Sequence, residues 1–253
     1  MKISIITVCY NSEKTIRNTL ESINSQNSKK IEHLIIDGQS TDNTLSIVDE
    51  FSYEKKIVSE RDKGIYDAMN KGIKLAQGEI IGFLNSDDFY ANNEVISKLE
   101  SIFGDDPTLE ACYADLIYTD QIDTSRVIRY WKSSKFILGS FSKGWCPPHP
   151  TFFVRKSVFK RFGSFDLSYG VASDVDLMMR FLEVNKIKVR YVPELWVKMR
   201  SGGVSNNSLK NILKQNQNVL RALKSHGLSA NFISFYTHKF FLRSKQFFQR
   251  PTS

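Results

Sequence analysis

Four times in the first hundred residues, a short run of aliphatic and β-branched side chains gives way to a segment whose apolar residues fall three or four apart. "ISIITVCY" leads into "NSEKTIRNTLESINSQ", where Ile16, Leu20 and Ile23 share a helical face and Ser12 stands as the expected N-cap. The unit recurs as "EHLIID" then "STDNTLSIVDEF", as "KIVSE" then "KGIYDAMNKGIKLAQG", and as "EIIGFLN" then "NNEVISKLESIF". Strands that alternate with helices in this way become parallel neighbours, because a parallel pair needs a crossover connection. The rhythm predicts an α/β fold, a mostly parallel sheet with helices on both faces. A chain of 253 residues, 41% of them hydrophobic, suffices for one such domain with a cleft.

Ligands bind beyond the carboxyl ends of the strands in sheets of this kind, and acidic residues gather there. Asp37 ends the second strand, Glu60 and Asp62 follow the third, and "FLNSDDFY" (83–90) ends the fourth in the adjacent pair Asp87 and Asp88. Neighbouring carboxylates repel and must be solvated or neutralised, and a divalent cation does this well. Asp42, in "STDNT", reads instead as a helix cap or turn former. Neither glycine-rich phosphate motif, G-x-G-x-x-G or G-x-x-x-x-G-K-[ST], occurs in the chain. Charge neutralisation at a phosphate then falls to the metal.

Cys9, Cys112 and Cys146 are odd in number and far apart, so neither a disulfide framework nor a cysteine zinc site is readable, and a reducing compartment is the simpler expectation. Residues 3–10 read as a first strand and not as a signal segment, and no run reaches the roughly 18 apolar residues of a membrane span. A cytoplasmic protein, soluble or peripheral on the inner face of the membrane, is expected. The net charge of +8 is unevenly placed: residues 195–253 hold ten of the 35 basic residues and none of the 27 acidic ones. Within that segment, "NFISFYTHKFFLRSKQFFQR" interleaves aromatic rings with cations. A basic, aromatic helix suits an anionic membrane surface. It equally suits a helix that packs its aromatic stripe on the main domain. No recognisable nucleic-acid motif accompanies the run, so no nucleic-acid partner is expected.

"SIITVCYNSEKTIRNTLESI", "LIIDGQSTDNT", "SERDKGIYDAMNKGIKLAQGEIIGFLNSDD" and "ASDVDLMMRF" together resemble glycosyltransferase family 2 on the GT-A fold. The likeness is to the bacterial enzymes of O-antigen, capsule and exopolysaccharide assembly, and it covers roughly residues 1–205. The resemblance implies a Rossmann-like GT-A domain over 1–204, divided into a nucleotide-sugar half (1–104) and an acceptor and catalytic half (105–204). A basic, aromatic helical extension follows over 205–253. It also implies inverting transfer of a sugar from a nucleotide-diphosphate sugar to an acceptor hydroxyl, with Mn²⁺ or Mg²⁺. A lipid-linked saccharide is the acceptor it implies, with an anionic membrane surface meeting the extension.

The same likeness assigns residues. Thr7 and Tyr10 fall in the first strand end that lines the nucleotide, and Asp37 matches the aspartate that accepts from the base. Asp67 and Asn70 fall on the donor side, though the polar face they share with Lys71 and Lys74 also reads as merely solvated. Asp87 matches the ribose contact and Asp88 the metal ligand. Asp174 matches the catalytic base, and Asp176 is left as structural. Without the likeness, Asp174 reads as a helix-terminus aspartate, with Ser173 as the cap and Leu177, Phe181 and Leu182 inward. Trp145 and His149, in the stiff "WCPPHPTFF", are candidates for acceptor or phosphate contact, as is Arg200 in the "MRSGGVSNN" loop expected to close near the diphosphate; each also has a purely structural reading. The chain departs from the family pattern at Asn85 and Ser86, where many members carry an acid. It departs again at Met69, in place of an arginine, and at Ser173, in place of a glutamate.

Two other activities fit parts of the pattern. A metal-dependent nucleotidyltransferase would use a similar carboxylate site but calls for a glycine-rich basic loop after the first strand, which "TVCYNSEKT" lacks. A non-catalytic sugar-nucleotide binder would be indifferent to Asp174.

Overall fold

The computed structural model describes residues 1–202 and 209–251. The remainder of the expected loop over 199–207, from residue 203 on, lies outside the described residues. β1 (Ile3–Cys9), β2 (Ile31–Asp37), β3 (Lys55–Ser59) and β4 (Ile80–Phe83) form the parallel part of the sheet, in the order β3-β2-β1-β4. Their connections carry α1 (Ile16–Asn24), α2 (Thr44–Asp49) and α3 (Ile65–Leu75), as the fourfold rhythm requires. The side chains of β1 and most of those of β2 and β4 are buried, the mark of a sheet covered on both faces.

The second half makes the sheet mixed. β8 (Phe153–Arg155) runs antiparallel between β4 and β6 (Ala111–Thr119); β9 (Val189–Arg200) lies parallel to β6; and the short β5 (Asp88–Tyr90) pairs antiparallel with β9. β7 (Val127–Trp131) pairs with the distal end of β6, so the local order there is β5-β9-β6-β7. The mostly parallel expectation thus describes the first half of the sheet, and antiparallel pairings enter with β8. Gly82 makes the junction possible: a Cβ there would fall 2.2 Å from the Phe153 ring, so only glycine lets that ring lie across β4.

α4 (Val95–Asp105), α5 (Lys156–Phe162) and α6 (Ser173–Met179) complete the domain, and α6 runs on into a π-turn over Arg180–Val184. Leu177, Phe181 and Leu182 are buried as their spacing requires. The two expected serine caps are not caps. After Ser12 a turn intervenes, and its carbonyl accepts from the Thr15 and Ile16 amides before α1 begins. Ser173 lies inside α6, its hydroxyl donating back to the carbonyls of Asp166 and Gly170.

α7 (Leu209–Ser225) and α8 (Phe232–Phe248) follow. They are continuous with the main core: Val219, Ala222 and Leu223 of α7 and Phe235 of α8 are buried in the same cluster as α6 and β6. Asp176, fully buried, takes His226, just past α7, at 2.8 Å and Arg180 at 3.6 Å, and so ties the end of α7 to α6. α8 settles on the Phe141–Gly144 turn. There Gly144 has φ +74°, and a Cβ would sit 2.9 Å from the Lys239 Cβ and 3.1 Å from the Phe235 carbonyl oxygen. Both the backbone and the close approach call for glycine at that position.

The aromatic stripe of α8 does not pack inward as a whole. Phe235 is buried, but Ile233, Phe240, Phe241 and Phe248 are exposed, Phe248 by 87%. Among the described residues no helix is long and apolar enough to cross a membrane.

Candidate active site

The adjacent aspartates sit where β4 turns into β5. Asp88 is completely buried: Oδ2 accepts from the Asn85 side chain at 3.1 Å, and Oδ1 has no partner. Burial, and then the Asp87 charge, hold its carboxyl well above the usual range; burial also raises Asp87. Arg200 is the nearby counter-charge, but its own bonds go to the carbonyls of Asp87 (3.0 Å) and Gln121 (3.2 Å) and to the Asn18 side chain (2.7 Å). The guanidinium also lies over the Phe89 ring, 5.2 Å from its centre. Arg200 therefore holds the aspartate turn in place.

Among the described residues no three His, Cys, Asp or Glu side chains gather as a metal cage. The donor set still fits a cation. The orphaned Asp88 oxygen, with an orphaned Asn85 oxygen beside it, is the kind of single protein anchor that magnesium-type ions accept when substrate oxygens and waters complete the shell.

Several residues expected to touch the donor are spent inside the protein. Thr7 is fully buried, and its hydroxyl bonds His33 Nε2 at 2.9 Å. Its side chain faces the β1–β2 layer and is closed to a nucleotide, which corrects that expectation. Asp37 is also fully buried, and it accepts from the Cys9 thiol, the Ser40 hydroxyl, the Ser40 amide (3.0 Å) and the Ser59 hydroxyl (2.6 Å). Those four donors fill the acceptor capacity of a carboxylate, so Asp37 braces the turn after β2.

Asn70 uses both ends of its amide on the backbone of Phe165, at 2.9 Å each. Asp67 accepts the Lys63 amide at 2.9 Å and lies 3.9 Å from Lys71, the behaviour of a first-turn acid. Asp42, bonded to the Glu13 and Thr44 amides and the Thr44 hydroxyl, is the turn former its setting suggests.

Tyr10, 62% exposed, is open to solvent at the end of β1, with Asp62 across Gly38 from it. Asp62 was legible only as an acid following the third strand.

A cavity of about 380 Å³ opens on the other side, walled by the end of β6, β7, the Trp145–Pro150 segment, the start of α6 and α8. Asp174, Trp145 and His149 all line it. Asp174 Oδ1 accepts the Val175 amide at 2.8 Å. The Tyr66 hydroxyl stands against the same carboxylate; burial first and the Asp174 charge second raise Tyr66 well above its usual range. His149 stacks on Phe83 (ring centres 5.2 Å apart) and meets the edge of Phe165 (5.6 Å). Its Nε2 is buried without a partner, and burial lowers its pKa, which favours the neutral imidazole. Trp145 packs edge-on to Tyr113 and Phe141.

The cavity and the aspartate pair share one face of the sheet. Asp88 is in register with Met199, Met199 with Tyr118, and Tyr118 with Arg129, and residues directly opposite on neighbouring strands point to the same side. Met199, Tyr118 and Arg129 all line the cavity. Arg129 carried no signal in the sequence, being one basic residue in a strand.

This arrangement has counterparts. The model of the family described as "Glycosyl transferase family 2" matches residues 4–163. A PGL/p-HBAD biosynthesis glycosyltransferase of Mycobacterium bovis is 30% identical over 84% of this chain and 82% of its own length. An Escherichia coli protein named UDP-Glc:alpha-D-GlcNAc-diphosphoundecaprenol beta-1,3-glucosyltransferase WfaP is 26% identical over 90% and 88%. Among solved structures, S. aureus TarS 1–349 in complex with UDP-GlcNAc superposes with a TM-score of 0.72 at 20% identity, covering 97% of this chain and 71% of that one. The mannosyltransferase PcManGT from Pyrobaculum calidifontis, in complex with GDP-Man and Mn²⁺, does so at 0.68 and 17%, covering 95% and 69%. These likenesses leave no place for a nucleotidyltransferase or a non-catalytic binder. With its family 2 model match, its relatives and its mixed GT-A sheet, the chain belongs to glycosyl transferase family 2 and is a glycosyltransferase.

Proposed function

We propose that this glycosyltransferase moves a sugar from a nucleotide-diphosphate sugar to a hydroxyl of a lipid-linked saccharide, with inversion at the anomeric carbon and Asp174 as the base. The observation that carries the reading is that Asp174 opens into the cavity whose floor, Met199 and Tyr118, continues in register to Asp88. Inverting transfer needs two separated carboxylate positions on one cleft, one at the leaving diphosphate and one across the sugar. Asp88 and Asp174 meet that need.

On the donor side, Tyr10 and Asp62 flank the nucleotide base over the platform that Asp37 braces. Asp87 meets the ribose and Asp88 is the residue that would hold a divalent cation. Such a cation, when bound, neutralises the departing diphosphate; the Mn²⁺ of the Pyrobaculum complex supports that assignment. On the acceptor side, Asp174 takes the proton of the acceptor hydroxyl as its oxygen attacks opposite the diphosphate. Tyr66 steadies the carboxylate, and the neutral His149 and the Trp145 ring present a flat, uncharged wall to the acceptor sugar. The name of the E. coli relative supports a diphosphate-linked lipid as acceptor. The exposed phenylalanines of the acid-free α8 suit an anionic membrane surface, where such an acceptor resides.

The test is calorimetric titration with UDP, GDP and dTDP, each with and without Mn²⁺. One nucleotide should bind at least about tenfold more tightly with metal, and Asp88→Ala should abolish the gain. A gain that survives the substitution, or no gain with any nucleotide, would contradict the placement of donor and metal.

A further inference from the structure

Of the five cations that line the cavity, Lys132 and Lys245 are exposed; Arg129, Lys239 and Arg243 are not, and the one acid in the lining, Asp174, is within ion-pair distance of none of them. Arg129 of β7 is nine-tenths buried, its guanidinium 3.8 Å from the centre of the Tyr118 ring and 5.8 Å from that of Phe247. Lys239 and Arg243 reach in from α8. Among the described residues none of the three has a carboxylate within 4.0 Å. Asn216 accepts from Lys239 at 2.6 Å. A buried cation without an anion costs several kcal/mol, and clustering like charges adds to the cost. Burial and the Arg243 charge lower the pKa of Arg129, and burial, foremost, brings that of Lys239 down to about 8.

A second, independent observation comes from the cavity wall. Ser133 Oγ, His149 Nε2, Gln215 Oε1 and Gln246 Oε1 are all buried, all without a hydrogen-bond partner, and all line this cavity. Buried polar atoms are almost always satisfied; a group of four around one hole calls for a polar occupant. The volume of about 380 Å³ falls within the range of small-molecule sites.

Arg129 stands three strands from Asp88 along the row Asp88–Met199–Tyr118–Arg129. At the usual strand spacing their backbones are roughly 14 Å apart, so the cations mark the end of the row away from the metal position. With Asp174 beside the cavity, the interval suits the reacting sugar and one acceptor sugar set between two anionic groups.

We propose that Arg129, Lys239 and Arg243 bind the diphosphate of the lipid-linked acceptor, so that α8 forms one wall of the acceptor site. This rests on the acceptor reading given above, and it adds that a single sugar separates the attacked hydroxyl from the acceptor's diphosphate.

The test is binding of farnesyl diphosphate to the full chain in metal-free buffer, beside binding of whichever of UDP, GDP and dTDP responds to Mn²⁺. The chain should bind farnesyl diphosphate without metal. Arg243→Gln and Lys239→Gln should each weaken that binding roughly 10–100-fold, leave the nucleotide affinity unchanged and leave the melting temperature near that of the parent. Lys224→Gln, on the exposed side of α7, should change neither. Equal weakening of both ligands would assign the cations to the donor and overturn the proposal, as would unchanged farnesyl diphosphate binding in the α8 variants. Because this arm needs neither turnover nor metal, a failure of the donor reading leaves its outcome readable.

Discussion

Asn70 joins the two halves of the molecule through a single amide. By fixing the Phe165 backbone it sets the ring that edges onto His149 and Phe83, and so it orders the cavity wall from a helix on the donor side. Asn70→Ala should lower stability by about 2 kcal/mol, two unpaired backbone groups at roughly 1 kcal/mol each, with nucleotide affinity unchanged. Denaturant unfolding beside nucleotide titration checks this, and a loss of affinity at unchanged stability would return Asn70 to the donor.

His33 makes a second prediction at this scale. It is fully enclosed between Thr7 and Tyr53, and burial brings its pKa from 6.5 to about 3. The folded state therefore favours the neutral ring, so its contribution to stability is complete above pH 6.5 and is lost as pH falls from 6.5 towards 3. The parent should lose about 2 kcal/mol more than His33→Gln between pH 7 and pH 5. Parallel slopes in urea unfolding would contradict this. Apart from Ser40, the partners of Thr7, Asp37 and Asn70 lie 22 to 95 residues away. A strand-end position in sequence therefore suggested a ligand contact where the fold had already used the side chain.

At the scale of elements, β1 to β4 were legible because each strand is buried on both faces and each helix keeps a clean apolar stripe. The second half was not. β9 is twelve residues long but is interrupted in pattern by Pro193 and Glu194, and its pairing partners β5 and β6 come from distant segments. α8 shows a different limit. Its rings and cations are plain in the sequence, but which of them face inward is decided by Gly144 and the Phe141–Lys143 turn beneath it. The side left outward is the more apolar one. Replacing Phe240, Phe241 and Phe248 together by Ser should sharply reduce co-sedimentation with anionic vesicles while leaving the melting temperature within a few degrees, since none of the three is buried. Unchanged sedimentation would make the face a feature of the fold alone. Deleting the helix would be a poorer test, because Phe235 belongs to the core.

Across the whole molecule, one continuous sheet places two anionic requirements at the two ends of a row of side chains and a carboxylate between α6 and the Tyr66 hydroxyl. The adjacent aspartates stood out in the sequence because paired charges at a strand end are costly, whereas Asp174 stood out only through the family likeness, since an acid at a helix start is ordinarily favourable. Arg129 and the α8 cations did not, since only the folded chain shows that they lack acids. The most direct test is Asp174→Asn. Nucleoside diphosphate release from UDP-glucose, UDP-N-acetylglucosamine and GDP-mannose is measured in the same samples as nucleotide affinity. A fall in rate of roughly 10²–10⁴-fold with affinity held within about threefold is the expected result. Full turnover in Asp174→Asn would contradict the assignment of the base and, with it, the account of the cleft.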